Sequence, residues 1–213
     1  MRNNHRCTGV HLCVTRVSFG LTWDYRCPFA RLVHDHVVTG LRGGADWDVT
    51  FLPFCLGQAH VEEGDIDIWE RPDDDSGLFA LQLGVSLRDM QPGAFLGFHH
   101  DTYEHRFNGG GSLRDETVLA RLITQNGGDA DAAFADVRSG RTLQVVKEEH
   151  TRFVASHQVW GTPTFVMGDK AVFVRLLDHS HGDVRVATDT VDRIIRDIEW
   201  PILNEFKHTT VPM

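Results

Sequence analysis

The feature that most constrains the fold is the stretch LTWDYRCPFARLVHDHVV, residues 21–38, where a strand-like pattern changes to a helical one at a cysteine. Residues 17–23 alternate large apolar side chains with small or polar ones, which predicts a β-strand. The residues that follow carry apolar side chains at helical spacing. Pro28 suits the first turn of that helix, because its missing N–H would have no partner there. The pattern therefore predicts that Cys27 lies at or beside the helix N-cap.

This position predicts a reactive thiol at Cys27. A thiolate at a helix N-terminus meets free backbone N–H groups and the positive end of the helix dipole, so we expect its pKa to fall. A lower pKa would leave more nucleophilic thiolate near neutral pH. The competing interpretation is a buried, inert cysteine at the end of a strand.

The rest of the chain supplies the order of the elements. WDVTFLPF (47–54) predicts a second strand, parallel to the first because a helix connects them. Residues 77–159 carry helical patterns for about four helices. TPTFVMGDKAVFVRL (162–176) predicts two strands around a two-residue turn at Gly168-Asp169, and a final helix follows. The order is thus β-α-β, several helices, then β-β-α.

That order, with Cys-Pro opening the first helix and Thr-Pro before the third strand, resembles the DsbA-like thioredoxin family. The family includes relatives resembling thiol-dependent isomerases and kappa-class glutathione transferases. The resemblance implies an α/β protein: a thioredoxin fold with a large helical insertion between its βαβ and ββα halves. The expected divisions are a disordered tail at 1–16, the first half at 17–64, the insertion at 65–158, the second half at 159–200 and a tail at 201–213.

The resemblance also implies a site. Cys27 matches the nucleophilic cysteine of the family, and Thr162 and Pro163 match the pair that holds substrate in an extended pose opposite it. Pro28 and Phe29 are further candidate substrate contacts beside the thiol. The resemblance implies that the Thr162–Pro163 peptide bond is cis, although few X–Pro bonds in folded proteins are.

The chain departs from the family at position 30. Redox members carry Cys-x-x-Cys, whereas this chain reads Cys27-Pro28-Phe29-Ala30 and lacks the second thiol. We expect a monothiol oxidoreductase with no tightly bound cofactor or metal, which acts on a small-molecule or disulfide substrate. A low-molecular-weight thiol such as glutathione or mycothiol would release the mixed disulfide. The alternatives are a thiol-dependent transferase or isomerase of a small organic molecule, and a non-catalytic binding module.

The other cysteines have two interpretations each. Cys55 follows the second strand, at the sheet edge where Cys27 is expected, and is either a resolving thiol or, as we favour, a small buried residue. Cys7 and Cys13 alternate with His5 and His11, which suggests zinc, but the spacing matches no common structural pattern. We prefer the interpretation that these residues belong to a disordered or misassigned start, and that the folded chain begins near Val14 to Val17.

Helical histidines and two tryptophans near the motifs are further candidates for a pocket. The histidines would be acid–base groups, although packing is the usual role of such residues. The tryptophans, Trp23 and Trp160, would shape an apolar pocket or belong to the core. The preferred candidates are His150 and His157. The complete set is His99, His100, His105, His150 and His157.

Charge and composition exclude some classes of protein. The net charge of −9 without a basic block argues against nucleic acid or anionic membranes as partners. The acidic run at 61–75 predicts a solvated loop. The first residues show no signal-peptide pattern, so we expect a cytoplasmic protein whose four cysteines are reduced.

Overall fold

A four-stranded mixed sheet forms the centre of the computed structural model, which describes residues 16–203. The strand order is β2-β1-β3-β4. The β1–β2 pair is parallel, whereas the β1–β3 and β3–β4 pairs are antiparallel. The strands are β1 (Val17–Trp23), β2 (Trp47–Pro53), β3 (Thr164–Met167) and β4 (Lys170–Phe173).

Helices connect and cover the strands, and five of the longer ones lie between β2 and β3, where the sequence predicted about four. Two short 3-10 turns, Ile68–Glu70 and Pro72–Asp74, precede them. The large helical insertion thus lies between β2 and β3. The helices are α1 (Pro28–Arg42), α2 (Leu56–Ala59), α3 (Leu78–Met90), α4 (Pro92–Asn108), α5 (Glu116–Gln125), α6 (Ala130–Arg138), α7 (Arg141–His157) and α8 (Val184–Glu199).

The inner strand β1 buries three apolar side chains, Phe19, Leu21 and Trp23. Leu21 is fully buried and pairs with Phe51 of β2 on one side and Phe165 of β3 on the other. Helix α1 packs against α8 and α4, so the helical insertion meets the helix that Cys27 opens. β1 and β3 each pair with two strands, and α1 packs against two helices. These neighbours fix the positions of the residues at the ends of β1, β3 and α1.

The turn between β3 and β4 is the predicted pair Gly168-Asp169. Gly168 has φ of 61°, a left-handed conformation that glycine adopts without strain. Within the described part of the chain, no helix has the length and apolar character needed to cross a membrane.

The acidic run at 61–75 is not the uniformly solvated loop that the charge pattern predicted. Ile68 and Trp69 are buried in the core, and Asp75 is also buried. The Asp75 carboxylate accepts backbone N–H groups of Gly77 and Leu78 at 2.7 and 2.9 Å, which begins the segment leading into α3. These hydrogen bonds and an ion pair with Arg26 at 2.9 Å therefore compensate for the burial of the Asp75 charge.

Candidate functional site

Cys27 is the N-cap of α1, as its position before Pro28 predicted. Its backbone is extended, with φ −86° and ψ 115°, and its N–H donates to the Asp24 carbonyl at 3.0 Å. The Ala30 N–H donates to Cys27 Sγ at 3.4 Å, so one orphan donor of the helix end points at the sulfur. The local fold therefore presents the sulfur to the helix N-terminus.

The loop that precedes β3 meets the same sulfur from the other side. The Cys27 thiol donates to the Thr162 carbonyl at 3.1 Å, and the Thr162–Pro163 peptide bond is cis. Thr22 of β1 holds this loop, because its carbonyl accepts from Thr162 Oγ1 at 2.6 Å and its hydroxyl accepts the Thr164 N–H at 2.8 Å. Residues separated by 135 positions in the sequence thus come together at one sulfur.

The prediction that the helix N-terminus lowers the Cys27 pKa was wrong. The thiol is only 6% exposed, and this burial raises its pKa above the ordinary value. The amides of Ala30 and Phe29 oppose the rise, as does the charge of Arg175, while Asp24 adds to it. The donors that the sequence predicted are present, but desolvation of the thiolate outweighs them.

An arginine that no sequence pattern singled out lies over the helix start. The guanidinium carbon of Arg175 is 4.6 Å from the centroid of the Phe29 ring, a cation–π contact. Arg175 is exposed, Phe29 is half-buried and Pro28 is exposed. The N–H of the preceding residue, Val174, donates to the Pro163 carbonyl at 3.1 Å, so this segment runs beside the cis-proline.

The two tryptophans near the motifs have different environments. Trp23 is fully buried and belongs to the core. Trp160 is 68% exposed and stacks on Phe173 of β4 with ring centroids 4.5 Å apart. Of the pair, only Trp160 offers an apolar surface to a ligand, two residues before Thr162.

A buried chain of hydrogen bonds links the helical insertion to this site. Tyr25 Oη lies 3.0 Å from His99 Nδ1, His99 Nε2 lies 2.8 Å from His34 Nδ1, and His34 Nε2 lies 3.0 Å from the Thr22 carbonyl. A carbonyl only accepts, so His34 Nε2 carries the hydrogen. The same reasoning along the chain makes His99 donate to His34, and Tyr25 donate to His99.

The imidazoles of His34 and His99 in this hydrogen-bond chain are both neutral. Burial lowers the His34 pKa to about 4, and burial together with the nearby His34 lowers the His99 pKa well below its ordinary value. Every ring nitrogen of the pair has one partner, so a further proton would remove an acceptor. His99 is thus a fully buried link in a polar chain, and it was not distinguished in the sequence from His100 and His105, which are half-buried.

His150 and His157, the two preferred candidates, both lie on α7. His150 is buried against Phe54, with ring centroids 4.4 Å apart, and also contacts Trp69. His157 is half-buried, and its Nε2 donates to the Gly168 carbonyl in the β3–β4 turn at 3.1 Å. Their contacts are those of packing and turn residues.

Cys55 follows β2 and is fully buried. Its thiol donates to Asp75 Oδ2 at 3.5 Å, and the same carboxylate pairs with Arg26 at 2.9 Å. Burial raises the Cys55 pKa well above its ordinary value, and the charges of Asp75 and Asp24 raise it further. These contacts match the interpretation of a small buried residue. Cys7, Cys13, His5 and His11 lie outside the described residues.

The sequence of residues 22–178 matches the DSBA-like thioredoxin domain family. No curated protein matches the chain. The fold is similar to that of several solved structures, and three of them share between 13% and 18% identity with the chain. At such identities the likeness concerns the fold alone.

These three structures cover most of the chain. A 2-hydroxychromene-2-carboxylate isomerase aligns with a TM-score of 0.59 and 13% identity, over 84% of this chain and 97% of its own. The thiol-disulfide exchange protein alpha-DsbA2 from Wolbachia pipientis aligns with a TM-score of 0.55 and 18% identity, over 84% and 81%. DsbA from Pseudomonas aeruginosa aligns with a TM-score of 0.51 and 16% identity, over 85% of both chains.

Proposed function

The chain belongs to the DSBA-like thioredoxin domain family, and from this premise we propose that it is a thiol-disulfide oxidoreductase that works through one nucleophile, Cys27. The observation that carries the proposal is the position of Cys27 Sγ, between the Ala30 amide at 3.4 Å and the Thr162 carbonyl at 3.1 Å. The exposed Pro28 and the half-buried Phe29 would receive the substrate, beside the buried Thr162 and cis Pro163.

The first step is attack on a disulfide. The Cys27 thiol gives its proton to solvent, and the thiolate attacks one sulfur of a substrate RS–SR′. The S–S bond breaks, R′S⁻ leaves and takes up a proton, and a mixed disulfide Cys27–S–S–R forms. Deprotonation removes the S–H donor from the Thr162 carbonyl, while the Ala30 amide is a donor that the thiolate keeps.

The second step requires a thiol from outside the chain. Position 30 is alanine, and Cys55 is fully buried with its sulfur against Asp75, so neither residue resolves the mixed disulfide in this proposal. A small thiol R″SH loses its proton to solvent and attacks the sulfur of R. The disulfide leaves as R–S–S–R″ and the Cys27 thiolate is restored. A reducing cytoplasm would supply such a thiol, for example glutathione or mycothiol.

A second candidate function is a small-thiol-dependent isomerase or transferase. The absence of a second thiol at Ala30 favours it, because such a reaction needs no disulfide within the protein. In that case Cys27 would position a thiol cofactor and no disulfide-linked turnover would occur. A binding module without chemistry would leave Cys27 unreactive.

Mass spectrometry with glutathione disulfide tests the proposal. In a background where Cys7 and Cys13 are replaced by serine, we expect one glutathione adduct on Cys27, removed again by reduced glutathione, with or without Cys55→Ser, and none once Cys27→Ser is added. Because burial keeps the Cys27 pKa above its ordinary value, the rate of adduct formation should rise about tenfold from pH 7 to pH 8. An adduct that forms equally in Cys27→Ser, or a wild-type protein that forms none, contradicts the proposal.

A further inference from the structure

Three arginines flank the thiol, and they are not equivalent. Arg26 pairs with Asp75 at 2.9 Å, and Arg31 pairs with Glu104 at 2.9 Å. Arg175 has no carboxylate within 4.0 Å among residues 16–203, and its guanidinium lies over Phe29 instead. The charges of the first two are therefore neutralised locally, whereas that of the third is not.

The guanidinium of Arg175 lies over the Phe29 ring and makes no hydrogen bond to any group of residues 16–203. The N–H donors of a guanidinium lie in the plane of the group and form an edge of fixed geometry. Such an edge matches the two oxygens of a carboxylate. Arg175 is exposed, so a ligand can reach this edge from solvent.

The position of Arg175 connects this edge to the reaction. Phe29 follows Pro28 in the first turn of α1, and Val174 is hydrogen-bonded to Pro163. Arg175 thus lies at the junction of the two segments that hold Cys27 Sγ, since its guanidinium contacts Phe29 and its neighbour Val174 is bonded to Pro163. Its charge lowers the Cys27 pKa, an effect that burial outweighs. An anionic group of a substrate bound at the sulfur would meet this cation.

We propose that Arg175 is a specificity-determining residue that selects small thiols and disulfides carrying a carboxylate. The inference rests on the proposed function of Cys27 and names the substrate class for it. Glutathione carries carboxylates and mycothiol carries none, so Arg175 favours the glutathione type. In a protein with a net charge of −9, an unpaired cation at the site would also offset the general repulsion of anions.

The test uses three symmetrical disulfides of similar size that differ in charge: dithiodipropionate (anionic), hydroxyethyl disulfide (neutral) and cystamine (cationic). The rate of mixed-disulfide formation at Cys27 is measured for wild type, Arg175→Gln, Arg175→Lys and Arg175→Glu. For each disulfide, the wild-type rate is divided by the variant rate, which cancels the intrinsic reactivity of the disulfide. A change in the Cys27 pKa affects all three disulfides equally, so comparing these quotients isolates the charge preference.

We expect Arg175→Gln to slow the reaction of Cys27 with the anionic disulfide roughly fivefold more than its reaction with the neutral one. This is the size of effect expected for one exposed ion pair. Arg175→Glu should favour cystamine, and Arg175→Lys should retain part of the preference because it keeps the charge without the planar edge. Arg121→Gln is the matched control, since Arg121 is also exposed but lies on α5.

The outcomes separate the two proposals. If Cys27 reacts with all three disulfides and Arg175→Gln slows them equally, the role of Arg175 is overturned and the proposed function stands. If the wild-type Cys27 reacts with none of them, the proposed function fails and the inference fails with it. An equal loss of preference in Arg121→Gln would assign the effect to net charge and would also overturn the role of Arg175.

Discussion

Cys27 and Cys55 occupy the same local position in two parts of the molecule. Each follows a parallel strand and forms the N-cap of a helix, with φ and ψ of −86° and 115° for Cys27 and −81° and 107° for Cys55. The helix after Cys27 has 15 residues and donates to its sulfur, whereas the helix after Cys55 has 4 and makes no side-chain cap bond. The same backbone therefore gives two different thiols.

The groups that face each sulfur account for the difference. Cys27 Sγ meets a helix amide and the Thr162 carbonyl, with the cation of Arg175 nearby. Cys55 Sγ meets the carboxylate of Asp75 and is fully buried. The comparison teaches that a strand–cysteine–helix joint locates a thiol, while residues distant in sequence determine whether the thiol reacts.

The largest expected difference between the two sites is whether a second cysteine, added three residues later, forms a disulfide with the first. Position 30 and position 58 each lie three residues after one of the cysteines. We expect Ala30→Cys to form an internal disulfide with Cys27 under mild oxidant, since helical residues at this spacing have Cα atoms about 5–6 Å apart. Gln58→Cys should form none with Cys55, whose sulfur is directed at Asp75. Peptide mapping without reduction decides, and a disulfide in both variants would remove the contrast.

The next contrast is a rate. In the native protein at about pH 8, iodoacetamide should alkylate Cys27 on the order of 100-fold faster than Cys55, because the Cys55 thiolate is buried and faces carboxylates. Peptide mass mapping after short exposures gives both rates. The same measurement in denaturing urea is the control, where the two rates should converge. Similar rates in the native state would mean that the surroundings do not distinguish these thiols.

A third contrast concerns stability on the Cys55 side. Asp75→Asn removes the ion pair between the half-buried Arg26 and a fully buried carboxylate, and should lower the free energy of unfolding by about 2–3 kcal/mol. Asp74→Asn is the matched neighbour, where an exposed pair with Arg71 is lost and the change should stay below about 1 kcal/mol. Urea unfolding at neutral pH measures both. Equal losses of unfolding free energy in the two variants would show that the buried Asp75 carboxylate stabilises the fold no more than the exposed Asp74 does.

The smallest contrast appears on acidification. His150 contacts Phe54, the neighbour of Cys55, and burial lowers the His150 pKa from 6.5 to about 4. The unfolded imidazole binds a proton at a higher pH than the folded one, so stability is lost as pH falls from about 6.5 towards 4. Between about pH 7 and pH 5 this one group should lower the free energy of unfolding by about 2 kcal/mol.

His150→Phe should remove that share of the loss and leave the rest, to which His34 beside β1 contributes through its own pKa of about 4. Urea unfolding of wild type and variant at both pH values isolates the His150 contribution, since other groups cancel. An unchanged acid loss in His150→Phe would contradict the assignment.

The sequence predicted the parts of the fold that local patterns encode. The alternation at 17–23 matches the bounds of β1, and the Gly168-Asp169 pair forms the predicted hairpin turn. The meeting of Cys27 and Thr162 was predicted from the family resemblance alone. In the structure, the antiparallel pairing of β1 with β3 brings their flanking loops together.

The missed features depend on long-range contacts. Arg175 is an ordinary exposed arginine after a strand, and only the fold shows that it stacks on Phe29. The Cys27 pKa was predicted from the helix end alone, but the direction of its shift depends on burial by segments remote in sequence. Asp75 was one acid in an acidic run, and Arg26, far from it along the chain, explains its burial.

The hydrogen-bond chain from Tyr25 through His99 and His34 to Thr22 has a consequence for building chimeras. A transplanted insertion that lacks an imidazole at position 99 would leave Tyr25 Oη and His34 Nδ1 buried without partners, at a cost of about 1–3 kcal/mol each. Insertion and sheet must therefore be exchanged as one matched unit, with these polar positions carried over together. Two halves that each fold well in their own relatives would still be incompatible if that single ring were missing.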